Sequence, residues 1–383
     1  MNPQIELRGI TWNHTRGYLP MVATAQRFLE THPDVSIQWD VRSLQAFGDA
    51  PIEELVRRYD LLIIDHPFIG QAAENGLFLP LDEFLSCDFL DDQARNSVGA
   101  SHASYQYEGH QWALAIDAAA PVSGWRPDLL AKSGFCVPAT WSALLELARH
   151  GLVSIPAVPI DSLMHFYMLC VALGGELFAS EEQVAGVDAG CEALRMLREL
   201  LSFCGADCLR RNPFATWEVL ASSDSVAYCP FAYGYSNYAR RGYAEHLLEF
   251  GGLVTLNDGT PLRSVLGGAG LAVSAHCLHK EAAIEYAEFA ASAVCQRTLY
   301  FDAGGQPGHR GAWLDAEANR RANGFFNKTL AVLDAAWLRP RYPGYAEFQE
   351  QAAHIVHSYL QSGGSEKQVI QQLNHGARKI CGL

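Results

Sequence analysis

The chain has 383 residues, 49% of them hydrophobic and 18% charged, which excludes a disordered protein. The length exceeds a single typical core, so two domains are predicted. The net charge of −14, from 28 basic and 42 acidic residues without a basic cluster, argues against nucleic acid and anionic membrane as partners.

In chain order, residues 5–12 read as a strand that ends in a loop carrying His14, Arg16 and Tyr18. Pro20 marks a helix start, and Met21, Val22, Ala25, Phe28 and Leu29 follow at helical spacing up to His32 and Pro33. Val35, Ile37, Trp39 and Val41 alternate as a second strand, and 51–58 reads as a helix. Leu61 to Ile64 is an apolar run without alternation, which suits a strand buried on both faces. Asp65, His66 and Pro67 follow at its carboxyl edge, where open α/β sheets bind small molecules. The order β-α-β-α-β predicts an α/β fold with a parallel sheet and covering helices.

Further on, 109–118 is a strand candidate, and Thr140 is placed to cap a helix over 141–150. Residues 161–173 form an apolar helix that includes Tyr167 and closes at Gly174-Gly175. A helix over 191–204 precedes a buried strand at 225–230. That strand opens onto a loop with Phe231, Tyr233, Tyr235 and Tyr238. Residues 267–274 form a glycine-bracketed strand, 280–293 a helix and 304–308 a connector. Helices over 327–337, 345–362 and 366–378 complete the chain.

Metal ligands do not assemble in this pattern. Cys204 and Cys208 lack a second pair, and neither His276, Cys277 and His279 nor His354 and His357 completes a set, so no metal and no cofactor is predicted. Gly267-Gly268-Ala269-Gly270 lacks the spacing of a phosphate loop, and Gly268 instead points to close backbone approach, to a ligand or to a neighbouring segment. No nucleophile elbow occurs. Tyr233 and Tyr235 follow a strand end, where phenol rings either stack on a sugar-like face or fill a core. Arg16 is either a fork for an anionic group or a solvated loop residue.

No apolar run approaches the roughly 18 residues of a spanning helix. Residues 1–8 show no basic start followed by an apolar core, so no signal peptide is predicted. The ten cysteines are scattered and read as small buried thiols in a reducing compartment. Together these predict the cytoplasm, or the periplasm if a leader has been removed.

Several segments resemble, in order, one known family. Residues 59–84 contain a strand, Asp65-His66-Pro67, a short helix and Gly76-Leu77-Phe78-Leu79-Pro80-Leu81-Asp82. Gln111 to Asp117, Pro138-Ala139-Thr140-Trp141, Ala227 to Tyr238, Leu266 to Ser274 with Lys280-Glu281-Ala282-Ala283, and Gly305-Gln306-Pro307 follow. The series resembles the extracellular solute-binding proteins of ABC importers, in the sugar-binding, maltose-binding-protein-like group. The resemblance implies a type II periplasmic-binding-protein fold with two α/β lobes, residues 1–114 with 263–306 and residues 115–262 with 307–383. The crossovers would lie near 112–118, 258–264 and 304–311. It implies a monomer that captures a carbohydrate or carbohydrate-like acid between the lobes by hinge closure and serves an ABC permease. Carried over by position, the contacts would be His14, Arg16, Tyr18, Asp65, His66, Asp117, Tyr233, Tyr235 and Gly268, with Tyr167 as a further candidate. A cytoplasmic enzyme on the same fold is the rival, motivated by His14, His66, His309 and the Asp65–Asp117 pair; a ligand sensor is a third reading.

Overall fold

The structure, a computed structural model, describes residues 4–44, 52–180 and 183–380. The strands, in chain order, are β1 (Ile5–Trp12), β2 (Val35–Arg42), β3 (Leu61–Ile64), β4 (Gln106–Tyr107), β5 (His110–Gln111), β6 (Leu114–Ala119), β7 (Pro121–Trp125), β8 (Tyr228–Tyr233), β9 (Glu249–Gly251) and β10 (Gly267–Val273). The helices used below are α1 (Thr15–Thr31), α2 (Trp141–Arg149), α3 (Pro159–Ala172), α4 (Val187–Cys204), α5 (Lys280–Ala291) and α6 (Tyr345–Ser362).

The chain divides into two compact units. The first comprises Met1–Ala119, Leu266–Arg320 and Leu338–Pro343, and the second Ala120–Val265, Arg321–Trp337 and Gly344–Leu383. Residues 307–320 stay with the first unit because the connector is tied to β6. Ala118 N–H donates to the Gln306 carbonyl at 3.2 Å, and the Gln306 amide donates back to the Ala118 carbonyl at 2.8 Å.

The first unit is built on a five-stranded sheet in the order β2-β1-β3-β10-β6. β1 pairs in parallel with both β2 and β3, as the alternating and buried strand patterns predict. β10 is antiparallel to both β3 and β6. All four residues of β3 are buried, and Leu61 and Ile63 join Leu7, Leu114, Leu271 and the inner face of α5 in one core. Gly268 sits in β10 at φ +116°, and a Cβ there would lie 2.3 Å from the Asp117 carbonyl oxygen, so only glycine lets β10 approach β6.

The sequence patterns misplace two element ends. α1 begins at Thr15, ahead of Pro20, because His14 caps it: the ring Nδ1 accepts the Arg16 N–H at 3.0 Å. Arg16 and Tyr18 therefore lie on the helix instead of a loop. The predicted helix over 51–58 is a single turn, Ile52–Leu55; Pro51 lies outside the described residues.

The second unit carries a three-stranded antiparallel sheet in the order β8-β7-β9. β8 runs on to Tyr233, so Phe231 and Tyr233 belong to the strand and not to the loop beyond it. α3 is buried along almost its whole length, which explains its apolar run. α6 packs against it, with Ala352, Ala353, Val356 and Leu360 buried.

Candidate functional site

Polar residues gather at the carboxyl ends of β1 and β3 in the first unit. Arg16, in the first turn of α1, and Asp117, in β6, are both buried. The guanidinium forks onto the carboxylate, Nε to Oδ2 at 2.8 Å and Nη2 to Oδ1 at 2.5 Å. Such a two-point, charge-assisted contact keeps an ion pair viable away from water. Burial pushes the Asp117 carboxyl up, and the neighbouring Arg16 charge pulls it back only in part. His14 is held down at about 3, first by burial and then by the Arg16 charge, so its ring is neutral and its Nδ1 is free to cap α1. Tyr18 is half-buried against the core of the same unit.

Asp65 caps the short 3-10 turn His66–Phe68, accepting the His66 N–H at 2.9 Å. Arg339 donates one Nη2 to both Asp65 oxygens, at 2.8 Å each. Burial pushes this carboxyl up, but Arg339 and His66 outweigh it, and the net direction is down. The His66 ring is fully buried. Its Nδ1 lies 3.2 Å from an Asp65 oxygen without hydrogen-bonding geometry, and neither ring nitrogen has a hydrogen-bond partner among the described residues. Burial first, and the Arg339 charge second, lower its pKa to about 4, so the imidazole is neutral at neutral pH. It then presents one N–H donor and one acceptor nitrogen. Tyr105 stands edge-on to it, with centroids 6.3 Å apart.

The second unit holds a different cluster. Asp161 and His165 lie four residues apart on α3 and so share one face of the helix. Both are buried, at 2% and 1% exposure. Asp161 Oδ2 and His165 Nδ1 have no hydrogen-bond partner among the described residues. Burial alone pushes the Asp161 carboxyl up to about 8, and it pulls His165 down to about 3. The His165 ring lies 4.5 Å from Phe231, whose other neighbour is the parallel ring of Trp141 at 6.4 Å.

The tyrosines of this unit divide. Tyr167 is fully buried between Phe178 and Trp337, in an aromatic core contact. Tyr233 is half-buried at the end of β8, and its carbonyl accepts the Trp217 indole N–H at 2.8 Å. Tyr235 is buried and leads into the 3-10 turn Ser236–Ala239.

Sequence patterns thus single out Asp65, His66 and Asp117, but not the arginine that engages Asp65, which lies 274 residues away. Asp161 and His165 left a visible signal, two ionisable side chains one turn apart in an otherwise apolar helix. Asp161 and His165 are therefore candidates beyond those the patterns named, and Phe231, already seen in the aromatic segment, joins them through its contact with His165.

This architecture is the type II periplasmic-binding-protein fold. A family model described as bacterial extracellular solute-binding protein matches residues 23–323, and the chain belongs to that family. No curated protein matches it. Among solved structures, a ribitol-bound ABC transporter solute-binding protein from Agrobacterium radiobacter K84 superposes with a TM-score of 0.84 at 18% identity, covering 99% of each chain. Maltose-bound MalE3 of T. maritima gives 0.83 at 16% identity, over 98% of this chain and 100% of that one. A tagatose-bound solute-binding protein from Thermotoga lettingae gives 0.83 at 18% identity, over 98% and 99%. No helix among the described residues is long and apolar enough to cross a membrane.

Proposed function

We propose that the protein captures a neutral polyhydroxy solute, a sugar or polyol. One observation carries this reading: His66, Asp161 and His165 are buried polar side chains with ring or carboxyl atoms that have no hydrogen-bond partner among the described residues. Such groups are costly unless a donor or acceptor meets them, and hydroxyl groups supply both. Phe231 beside His165 offers the apolar face that a pyranose or polyol backbone packs against. Arg16 forks onto Asp117 and Arg339 bonds both Asp65 oxygens through Nη2, so each guanidinium already faces a carboxylate, which supports a neutral ligand over a sugar acid.

In this reading His66, Tyr233 and Tyr235 meet the solute, with Asp161 and His165. Arg16, Asp117, His14 and Asp65 hold the first-unit wall in place. Tyr18 lines it, while Tyr167 and Gly268 support the backbone. The relatives described above bind maltose, ribitol and tagatose, which agrees with this chemistry. Delivery of the solute to an ABC permease completes the proposal. The family is described as extracellular. The nine cysteines among the described residues are all free, and this supports work in a reducing compartment. Cell fractionation with an antibody to the protein separates the two locations.

Thermal-shift titration with maltose, ribitol, tagatose and mannitol, alongside glucuronate and galacturonate, tests the ligand. Stabilisation by a neutral member, weakened in His66→Ala, is the expected result. A flat response to the whole neutral panel, or a shift confined to the acids, overturns it.

A further inference from the structure

Outside the candidate site, the second unit has a cavity of about 310 Å³ lined by Arg195, Arg198, Glu199, Ser202, Tyr359 and Glu366. Four of these residues come from α4. They follow at i, i+3, i+4 and i+7 and so share one face of the helix, while Leu194, Leu197 and Leu201 are buried on the other. Tyr359 comes from α6, and Glu366 from the first turn of the last helix, α7 (Glu366–Ile380). Gly363 turns the chain between these two helices at φ +75°, and a Cβ there would lie 2.3 Å from Arg198 Nη2. Glycine at this turn leaves room for the Arg198 guanidinium, which sits over the buried Tyr359 ring, 5.6 Å from its centre.

We propose that this cavity is a second ligand site, for the zwitterion of a free α-amino acid. The lining carries two guanidinium groups and two carboxylates. A phosphate would face both carboxylates there, and a simple amine both guanidinium groups. A zwitterion sets each of its charges against the opposite one. The volume lies near the low end of ligand cavities, roughly 300–1,000 Å³, and suits a single amino acid instead of a peptide.

The surroundings divide the contacts. Arg198 makes no ion pair among the described residues, so its planar fork is open to the ligand carboxylate. Arg195 is paired with Glu192 on its own helix and adds its charge at longer range. On the other side, Glu366 accepts the Tyr359 hydroxyl through Oε1 at 2.8 Å, which fixes the carboxylate, and it makes no ion pair among the described residues. Glu199 is loosely held, with Arg149 Nη2 at 3.7 Å. The Ser202 hydroxyl donates to the Glu199 carbonyl at 2.6 Å and keeps its oxygen as an acceptor. The three N–H donors of the ligand ammonium thus have Glu199, Glu366 and Ser202 as acceptors.

The test is calorimetric titration of the full chain with glycine, L-serine, L-leucine and L-glutamine, alongside acetate, methylammonium and phosphate. At least one amino acid is expected to bind with a Kd below about 1 mM, and about tenfold or more tightly than acetate or methylammonium, each of which carries only one of its charges. Arg198→Gln and Glu366→Gln are each expected to weaken that binding by about tenfold or more, the loss of one charge-assisted contact, with the circular dichroism spectrum of the parent retained. Arg198 is exposed, and Glu366→Gln keeps an oxygen for the Tyr359 hydroxyl. No binding of any of the four amino acids, tighter binding of phosphate, or an affinity that both variants leave unchanged overturns the proposal.

Discussion

Asp161 sits in the first turn of a helix that is buried almost throughout, and no charge among the described residues balances its own. In the unfolded chain the carboxyl ionises near pH 4; in the fold it holds its proton up to about 8. The native state therefore binds the extra proton between those values. The stability this contributes is complete below about pH 4 and is lost as pH rises through 8. His14, His66 and His165 act oppositely, because burial holds them neutral in the fold, but their contribution is constant above about pH 6.5, where the unfolded rings are neutral too. Between pH 6.5 and 8 the Asp161 proton contributes a falling stability of roughly 1.4 kcal/mol per pH unit, which the low-lying Cys208 thiol opposes. The Asp161 share is read as a difference: urea denaturation across that range is expected to give Asp161→Asn a slope more positive than the parent chain by about that amount.

Asp117 offers a second test at this scale. Replacing it with alanine removes the carboxylate on which the buried Arg16 fork closes. The expected loss is about 3–5 kcal/mol in urea denaturation, the range for removing one member of a buried ion pair. A loss below about 1 kcal/mol is the behaviour of an exposed pair and contradicts the buried geometry.

Among elements, β10 depends on one backbone conformation. Gly268→Ala puts a Cβ into the Asp117 carbonyl while φ stays at +116°. We expect a loss of at least about 2 kcal/mol by thermal or chemical denaturation. A neutral effect means that the strand relaxes away from β6. Local patterns are dependable for the elements themselves. β3 is legible because an apolar run without alternation suits a strand covered on both faces. Thr140 is legible as a cap, and its hydroxyl does accept the Ala143 N–H at 3.3 Å. The start of α1 was hidden because histidine is an unusual N-cap and Pro20 gives a competing local signal. The end of β8 was hidden because its aromatic residues suit both a strand and a ligand loop.

For the whole molecule, the proposed capture has a thermodynamic signature. A ligand that binds only the folded chain stabilises it by about 2.7 kcal/mol at a hundredfold excess over Kd.

The opening β-α-β-α-β order, the buried centre of the first sheet and the motif series shared with solute-binding proteins follow from the sequence by itself, whereas β7 and β9 of the second sheet do not. These depend on neighbours within a few positions, where steric preference and burial periodicity act. Only the tertiary structure decided the state of the charges. Asp65 meets Arg339 across 274 positions and Arg16 meets Asp117 across 101, whereas Asp161 meets no counter-charge among the described residues. A carboxylate's pKa depends on desolvation and on charges within a few ångströms, and chain spacing sets neither until the fold has closed.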